Sequence, residues 1–166
     1  MDLFIIRHGK AEERSPTIKS DSKRKLTEEG KEELEWISKG LKNLDLKIDY
    51  IISSPLSRAL ETSDILSKYL PVKEKEIAVW EELKPESNVL DTHKKLAKFS
   101  PDSKILLVGH EPHLTNLISS IISPEGDVSI NLKKGGFVAI RVTTTQSKII
   151  GSLRSILTPK QLKLCK

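Results

Sequence analysis

Cysteine is almost missing from this chain: Cys165 stands alone near the end, so no intrachain disulfide can form and a packed core must hold the fold. A reducing, cytoplasmic setting is expected on that ground. Aromatic residues are only 4% of the sequence, too few for the interleaved stacking platform of a single-strand nucleic-acid binder. Long apolar runs are missing too. Nothing approaches the roughly 18 residues of a membrane span, and Leu3 to Ile6 is too short for the apolar stretch of a secretory leader, so no membrane association is expected. Repeats, low-complexity tracts and dividing linkers are also absent. The 166 residues therefore read as one domain, 1–166, long enough to bury a core without metals or disulfides.

Charge is plentiful, at 31% of residues, with a formal net charge of +5. The basic residues concentrate at Lys19 to Lys25 and Lys160 to Lys166. Both stretches read as solvated surface rather than as a nucleic-acid site, and a positive field also attracts phosphorylated substrates.

The apolar pattern alternates between short runs and helical stripes. Leu3 to Ile6 reads as a buried strand ending at Arg7-His8-Gly9, and residues 10 to 26 read as a long polar loop. Thr27 caps a helix with Glu28 and Glu29 in its first turn and Leu34, Ile37, Leu41 and Leu44 on one face. Tyr50 to Ile52 is a second strand, after which Ser54 and Pro55 fit the N-cap and first position of a helix carrying Arg58, Ala59, Ile65 and Leu66. Ile77 to Trp80 fits a short edge strand, and Val89 to Phe99 a helix. Lys104 to Val108 is the clearest strand, followed by Gly109-His110 and a helix with Leu114, Leu117, Ile118, Ile121 and Ile122 on one face. Ser129 to Leu132 and Phe137 to Val142 are expected to pair across Gly135-Gly136, with Ile149 to Leu153 as a further strand. The alternation predicts a three-layer α/β fold, a mainly parallel mixed sheet flanked by helices. Sites in such sheets form beyond the carboxyl ends of the strands.

Arg7, His8, Arg58 and His110 all fall at such ends. Arg58, in the first turn of its helix, leans back over the strand before it. Gly9 and Gly109 are expected to let the backbone turn tightly there. Taken singly, a strand-end histidine is most often a structural hydrogen-bonder, a first-turn arginine a solvated charge, and Ser53 and Ser54 turn or cap residues. Their joint placement outweighs those readings. Two arginines and two histidines aimed at one crevice suit phosphoryl transfer, whose transition state spreads negative charge over the phosphoryl oxygens. Arginine supplies a permanent bidentate donor, and a neutral imidazole is a nucleophile near pH 7. His110 and His113 have the spacing of a helical metal pair, but Cys165 is remote and no carboxylate cluster accompanies them, so no metal and no cofactor is expected.

Arg7-His8-Gly9, the run Ser53 to Ala59 with Thr62, and Gly109-His110 together resemble the histidine phosphatase superfamily, closest to its short SixA-type phosphohistidine phosphatase branch. Leu26 to Gly30 and Leu157 to Leu162 are similar to segments of that branch, so the resemblance runs from end to end. It implies a phosphoglycerate-mutase-like fold, with His8 as the transiently phosphorylated nucleophile and Arg7, Arg58 and His110 as the phosphate pocket. Two departures speak against a sugar-phosphate mutase: Lys10-Ala11-Glu12 lacks that branch's hydroxyl residue, and the span from Arg58 to His110 leaves no room for its helical insertion. The proton donor is assigned to Glu82, with Glu81, or neither of these surface glutamates, as the alternatives. The expected activity is metal-independent hydrolysis of phosphohistidine in a protein. Hydrolysis of a phosphoserine protein or small phosphate ester, and a non-catalytic phosphate-binding module, are the alternatives.

Overall fold

The computed structural model describes residues 1–14, 20–74, 76–123, 125, 127–144 and 149–165. The expected basic runs at Lys19 to Lys25 and Lys160 to Lys166 therefore lose Lys19 and Lys166, and residues 15–19 of the predicted loop lie outside the described residues.

Four strands run parallel: β1 (Asp2–Arg7), β2 (Tyr50–Ser53), β3 (Ala78–Val79) and β4 (Lys104–Gly109). Two long antiparallel strands, β5 (Phe137–Thr144) and β6 (Ile149–Leu157), complete a six-stranded sheet of order β3-β2-β4-β1-β5-β6. This is the mainly parallel mixed sheet that the sequence predicts. Arg7 pairs with Gly109, and Ser53 with Val108, so the three central strands end at one level. Whatever follows those strands is thereby gathered at one edge.

The continuous apolar runs are explained by burial on both faces. Leu3, Ile5, Ile105 and Leu107 point to the side covered by α3 (Val89–Leu96) and α4 (His113–Ile122). Their neighbours Phe4, Ile6, Leu106 and Val108 point to the side covered by α1 (Glu28–Asn43), α2 (Ser57–Tyr69) and the short α5 (Pro159–Leu162). Each fully buried Leu or Ile contributes about 1.5–3 kcal/mol, so this two-sided core holds the strand ends in place. Thr27 caps α1 by accepting the Gly30 N–H at 3.0 Å. No described helix is long and apolar enough to cross a membrane.

Several expectations are corrected. Leu44 is not part of the α1 stripe: the helix ends at Asn43, and Leu44 is 49% exposed. Helix α2 starts at Ser57 with Leu56 at the N-cap, so Ser54 and Pro55 precede it and Ser54 is free for another task. Helix α3 stops at Leu96, short of Phe99. Ser129 to Leu132 is not a strand; β5 pairs instead with β6, the strand expected only as an addition. Leu132 is drawn into the core, and its carbonyl is used elsewhere. Gly9 and Gly109 serve close packing rather than a turn: a Cβ on Gly9 would lie 2.6 Å from Leu34 Cδ1, and one on Gly109 3.0 Å from Leu114 Cδ2. The described glycine with positive φ is Gly135, at 70°, whose N–H donates to Arg7 O at 2.9 Å and to His8 O at 3.2 Å.

Candidate active site

His8 continues β1 by one residue, its N–H donating to Gly109 O at 3.1 Å. Its ring Nδ1 lies 2.7 Å from Gly9 O. A carbonyl only accepts, so Nδ1 carries the proton and Nε2 keeps its lone pair. Gly9 is itself fixed, because its N–H donates to Thr62 Oγ1 at 3.2 Å and Thr62 donates to Arg58 O at 2.7 Å. Thr62, one helical turn beyond Arg58, thus ties the His8 ring's carbonyl partner to α2. Burial, aided by Arg58 and Arg7, lowers the His8 pKa to about 3. The ring is neutral at any ordinary pH.

Arg58 reaches back from the first turn of α2, as its position predicts. Its Nε donates to His8 Nε2 at 3.2 Å. The two terminal nitrogens are held by Asp21, Nη1 donating to the Asp21 carbonyl at 2.9 Å and Nη2 to Oδ2 at 3.1 Å. Asp21 sits in a 3₁₀ turn (Asp21–Lys23) and also receives Arg24 Nε at 2.8 Å. Although burial works the other way, Arg58 and Arg24 hold its carboxyl below the usual range.

His110 follows β4 and lies beside His8, the two rings tilted by 50° with centroids 4.9 Å apart. Its Nε2 lies 2.8 Å from Ser54 Oγ. Ser54 Oγ also accepts the Leu56 N–H at 3.4 Å, and with its hydroxyl proton donated to His110 Nε2 the imidazole proton would lie on Nδ1. That Nδ1 is buried with no hydrogen-bond partner among the described residues, and so is Arg7 Nε. Burial, with His8 and Arg58 adding to it, lowers the His110 pKa to about 2. Arg7 Nη1 donates to Leu132 O at 2.8 Å, which anchors the guanidinium against the loop before β5.

These four residues line one crevice of about 320 Å³, together with Arg14, Asp21, Arg24, Glu86, Glu111 and Lys134. Positive side chains outnumber carboxylates there, and the volume accepts a phosphoryl group with part of its leaving group. Among the described residues no three His, Cys, Asp or Glu side chains cluster as a metal site.

The proton donor expected from sequence is not brought in. Glu82 lies in a 3₁₀ turn (Glu81–Leu83) that buries Leu83; its carboxylate accepts Lys95 Nζ at 2.7 Å, and Lys95 holds its pKa low. Glu81 pairs with Lys84. Neither lines the crevice, whose carboxylates are Asp21, Glu86 and Glu111. Of these, Glu111 accepts Thr115 Oγ1 at 2.6 Å through Oε2, while its Oε1 is buried without a partner among the described residues. Sequence reasoning missed Ser54, Asp21 and Glu111. The only signals were a serine between a strand and an arginine, a long polar loop after His8, and a carboxylate adjacent to His110.

Comparison with known proteins agrees with the geometry. An uncharacterized protein of Picosynechococcus sp. is 31% identical over 143 residues, covering 85% of each chain. The mitochondrial serine/threonine-protein phosphatase PGAM5 of Xenopus tropicalis is 39% identical over 69 residues, which are 42% of this chain but 24% of that protein. The structure of the protein histidine phosphatase SixA complexed with tungstate superposes with a TM-score of 0.85 at 25% identity, covering 98% of this chain and 99% of the other. The family model of the histidine phosphatase superfamily (branch 1) matches residues 3–87, which carry Arg7, His8 and Arg58, and on these matches the chain belongs to that superfamily.

Proposed function

We propose that the protein is a metal-independent phosphatase that transfers a phosphoryl group to His8 Nε2 and then to water, with a phosphorylated protein side chain as substrate. The observation that carries this reading is the Nδ1 contact with Gly9 O, which leaves the Nε2 lone pair in a pocket of fixed positive charge. In the first step Nε2 attacks phosphorus, the P–N bond to His8 forms, and the bond to the leaving group breaks, its electron pair going to the leaving atom. Arg58 Nε gives up its contact with Nε2, and the arginine forks and His110 Nδ1–H take the phosphoryl oxygens. Arg7 Nε and His110 Nδ1 gain in that complex the partners they lack among the described residues. Water then attacks phosphorus, the P–O bond forms as the P–N bond breaks with its electron pair returning to Nε2, the water's proton leaves with inorganic phosphate, and neutral His8 is restored.

Of the similar proteins that carry an activity in their names, SixA is a protein histidine phosphatase and PGAM5 a serine/threonine-protein phosphatase, while fold neighbours at 19% identity are an alpha-ribazole-5'-P phosphatase and a phosphoserine phosphatase. Phosphohistidine is favoured here because its imidazole leaves as a stable neutral base near pH 7, and the carboxylate expected to assist other leaving groups, Glu82, lies outside the crevice. Ester hydrolysis is the second reading, and the half-satisfied Glu111 carboxylate in the crevice favours it. A steep dependence of kcat/KM on leaving-group pKa, unchanged in Glu111→Gln, is the expected result; a flat dependence that steepens in that variant would select the ester reading. For the mechanism itself, rapid quenching with labelled phosphoprotein should trap an alkali-stable, acid-labile phosphoenzyme that His8→Ala lacks. Full activity of His8→Ala would overturn it.

A further inference from the structure

A second, larger cleft of about 640 Å³ adjoins the crevice and shares Arg7 and Lys134 with it. Lys10, Lys133 and Lys160 line it as well, against the single carboxylate of Glu33. Lys10 is already paired with Glu29 and, at 3.8 Å, with Glu33. Lys133, Lys134 and Lys160 have no carboxylate within ion-pair distance among the described residues.

These lysines are borne on two anchored pieces of backbone. The loop carrying Lys133 and Lys134 is tied to the catalytic strand end on both sides, through Arg7 Nη1 to Leu132 O, Arg7 N to Gly136 O at 3.2 Å, and Gly135 N to the Arg7 and His8 carbonyls. Lys160 follows Thr158, whose capping box with Gln161 starts α5, and Leu162 of that turn is buried in the core beneath α1. Both arms hold cationic ends around the cleft, which shares Arg7 and Lys134 with the phosphoryl pocket.

We propose that this cleft is a substrate subsite for acidic residues flanking the phosphorylated side chain of a protein. The inference rests on the phosphatase reading above and adds the substrate's charge. The cleft is too large for one phosphate to fill, and its lysines are separate, flexible point charges rather than a bidentate fork. Spread charges of that kind match several carboxylates along a peptide better than a second phosphate of a small molecule. Being exposed, they act through accumulated attraction and steering rather than through any single strong contact.

The test compares one phosphopeptide with acidic flanks, the same peptide with neutral flanks, a small bisphosphate and an aryl phosphate. Wild type should prefer the acidic peptide about tenfold in kcat/KM, through KM, and lose the preference at high salt. Lys133→Glu with Lys160→Glu should abolish that preference and leave aryl phosphate turnover within about twofold. An unphosphorylated, fluorescein-labelled acidic peptide should bind wild type and not the double variant by anisotropy, a readout that needs no catalysis. Binding without turnover would therefore indict the phosphatase reading alone. Equal use of both peptides, a preference for the bisphosphate, or an equal loss on every substrate in the double variant would each overturn the subsite.

Discussion

On its inner wall the crevice is made of strand ends, where His8, Arg58 and His110 are 6%, 3% and 1% exposed and each ring or guanidinium is held by an identified partner. On its outer wall stand Arg14, Glu86 and Lys134, all exposed and carried on loops. Asp21 connects the two through its carboxylate, reaching from the outer loop to the Arg58 fork. The inner wall is preorganised because a two-sided core fixes the backbone beneath it, and preorganised donors need no rearrangement when charge develops. The outer wall presents its charge to solvent, which suits recognition and exchange. Asp21 also keeps Arg58 from being an unpaired buried cation while no phosphoryl group is bound, and it must yield that fork when one arrives.

The contrast between the walls can be broken at measurable points. The largest effect is expected at Arg58. Arg58→Ala should lower kcat/KM about a hundredfold or more, and Arg58→Lys should recover little of it, since a point charge cannot reproduce the bidentate fork on the phosphoryl oxygens. Equal activity of the lysine variant would reduce the inner wall to simple charge. Next comes Ser54, which nothing but its hydroxyl contact with His110 marks as part of the wall. Ser54→Ala should cost about tenfold in turnover, the scale of one hydrogen bond, with unchanged thermal stability expected to within a few degrees. A wild-type rate would mean that the imidazole is oriented by packing alone.

Acid should reveal the inner wall through stability. Both imidazoles have folded pKa values below the ordinary 6.5, about 3 for His8 and about 2 for His110, so the unfolded chain binds more protons as pH falls below 6.5. Their contribution is therefore complete above about pH 6.5 and declines on acidification toward their folded values. The melting temperature should fall between pH 7 and pH 5, by less in His8→Ala, and the His8 and His110 ring resonances should not titrate in that range. A ring titrating near pH 6.5 in the free protein would contradict the burial argument. The smallest effect is expected at Glu82. Glu82→Gln removes an outer ion pair with Lys95 and should change kcat/KM by no more than about twofold on any substrate. A hundredfold loss on alkyl esters would return Glu82 to the crevice.

The sequence alone determined the frame of this protein. Leu3 to Ile6 and Ile105 to Val108 are apolar without a break, as a strand covered on both faces requires, and such strands put Arg7, His8 and His110 beyond their carboxyl ends. Helical lean then sufficed to bring Arg58 over the same edge. The sequence could not decide which polar groups near that edge meet, because contacts such as Asp21 with Arg58, Ser54 with His110 and Leu132 O with Arg7 join residues far apart in the chain. Glu82 shows why. Its distance from the strand end in sequence suited a proton donor, but burying Leu83 fixed the rotation of its turn and delivered the carboxylate to Lys95. Local pattern sets which backbone positions surround the site; the direction of each exposed side chain there is set by what its neighbours must bury, and that is known only once the layers have packed.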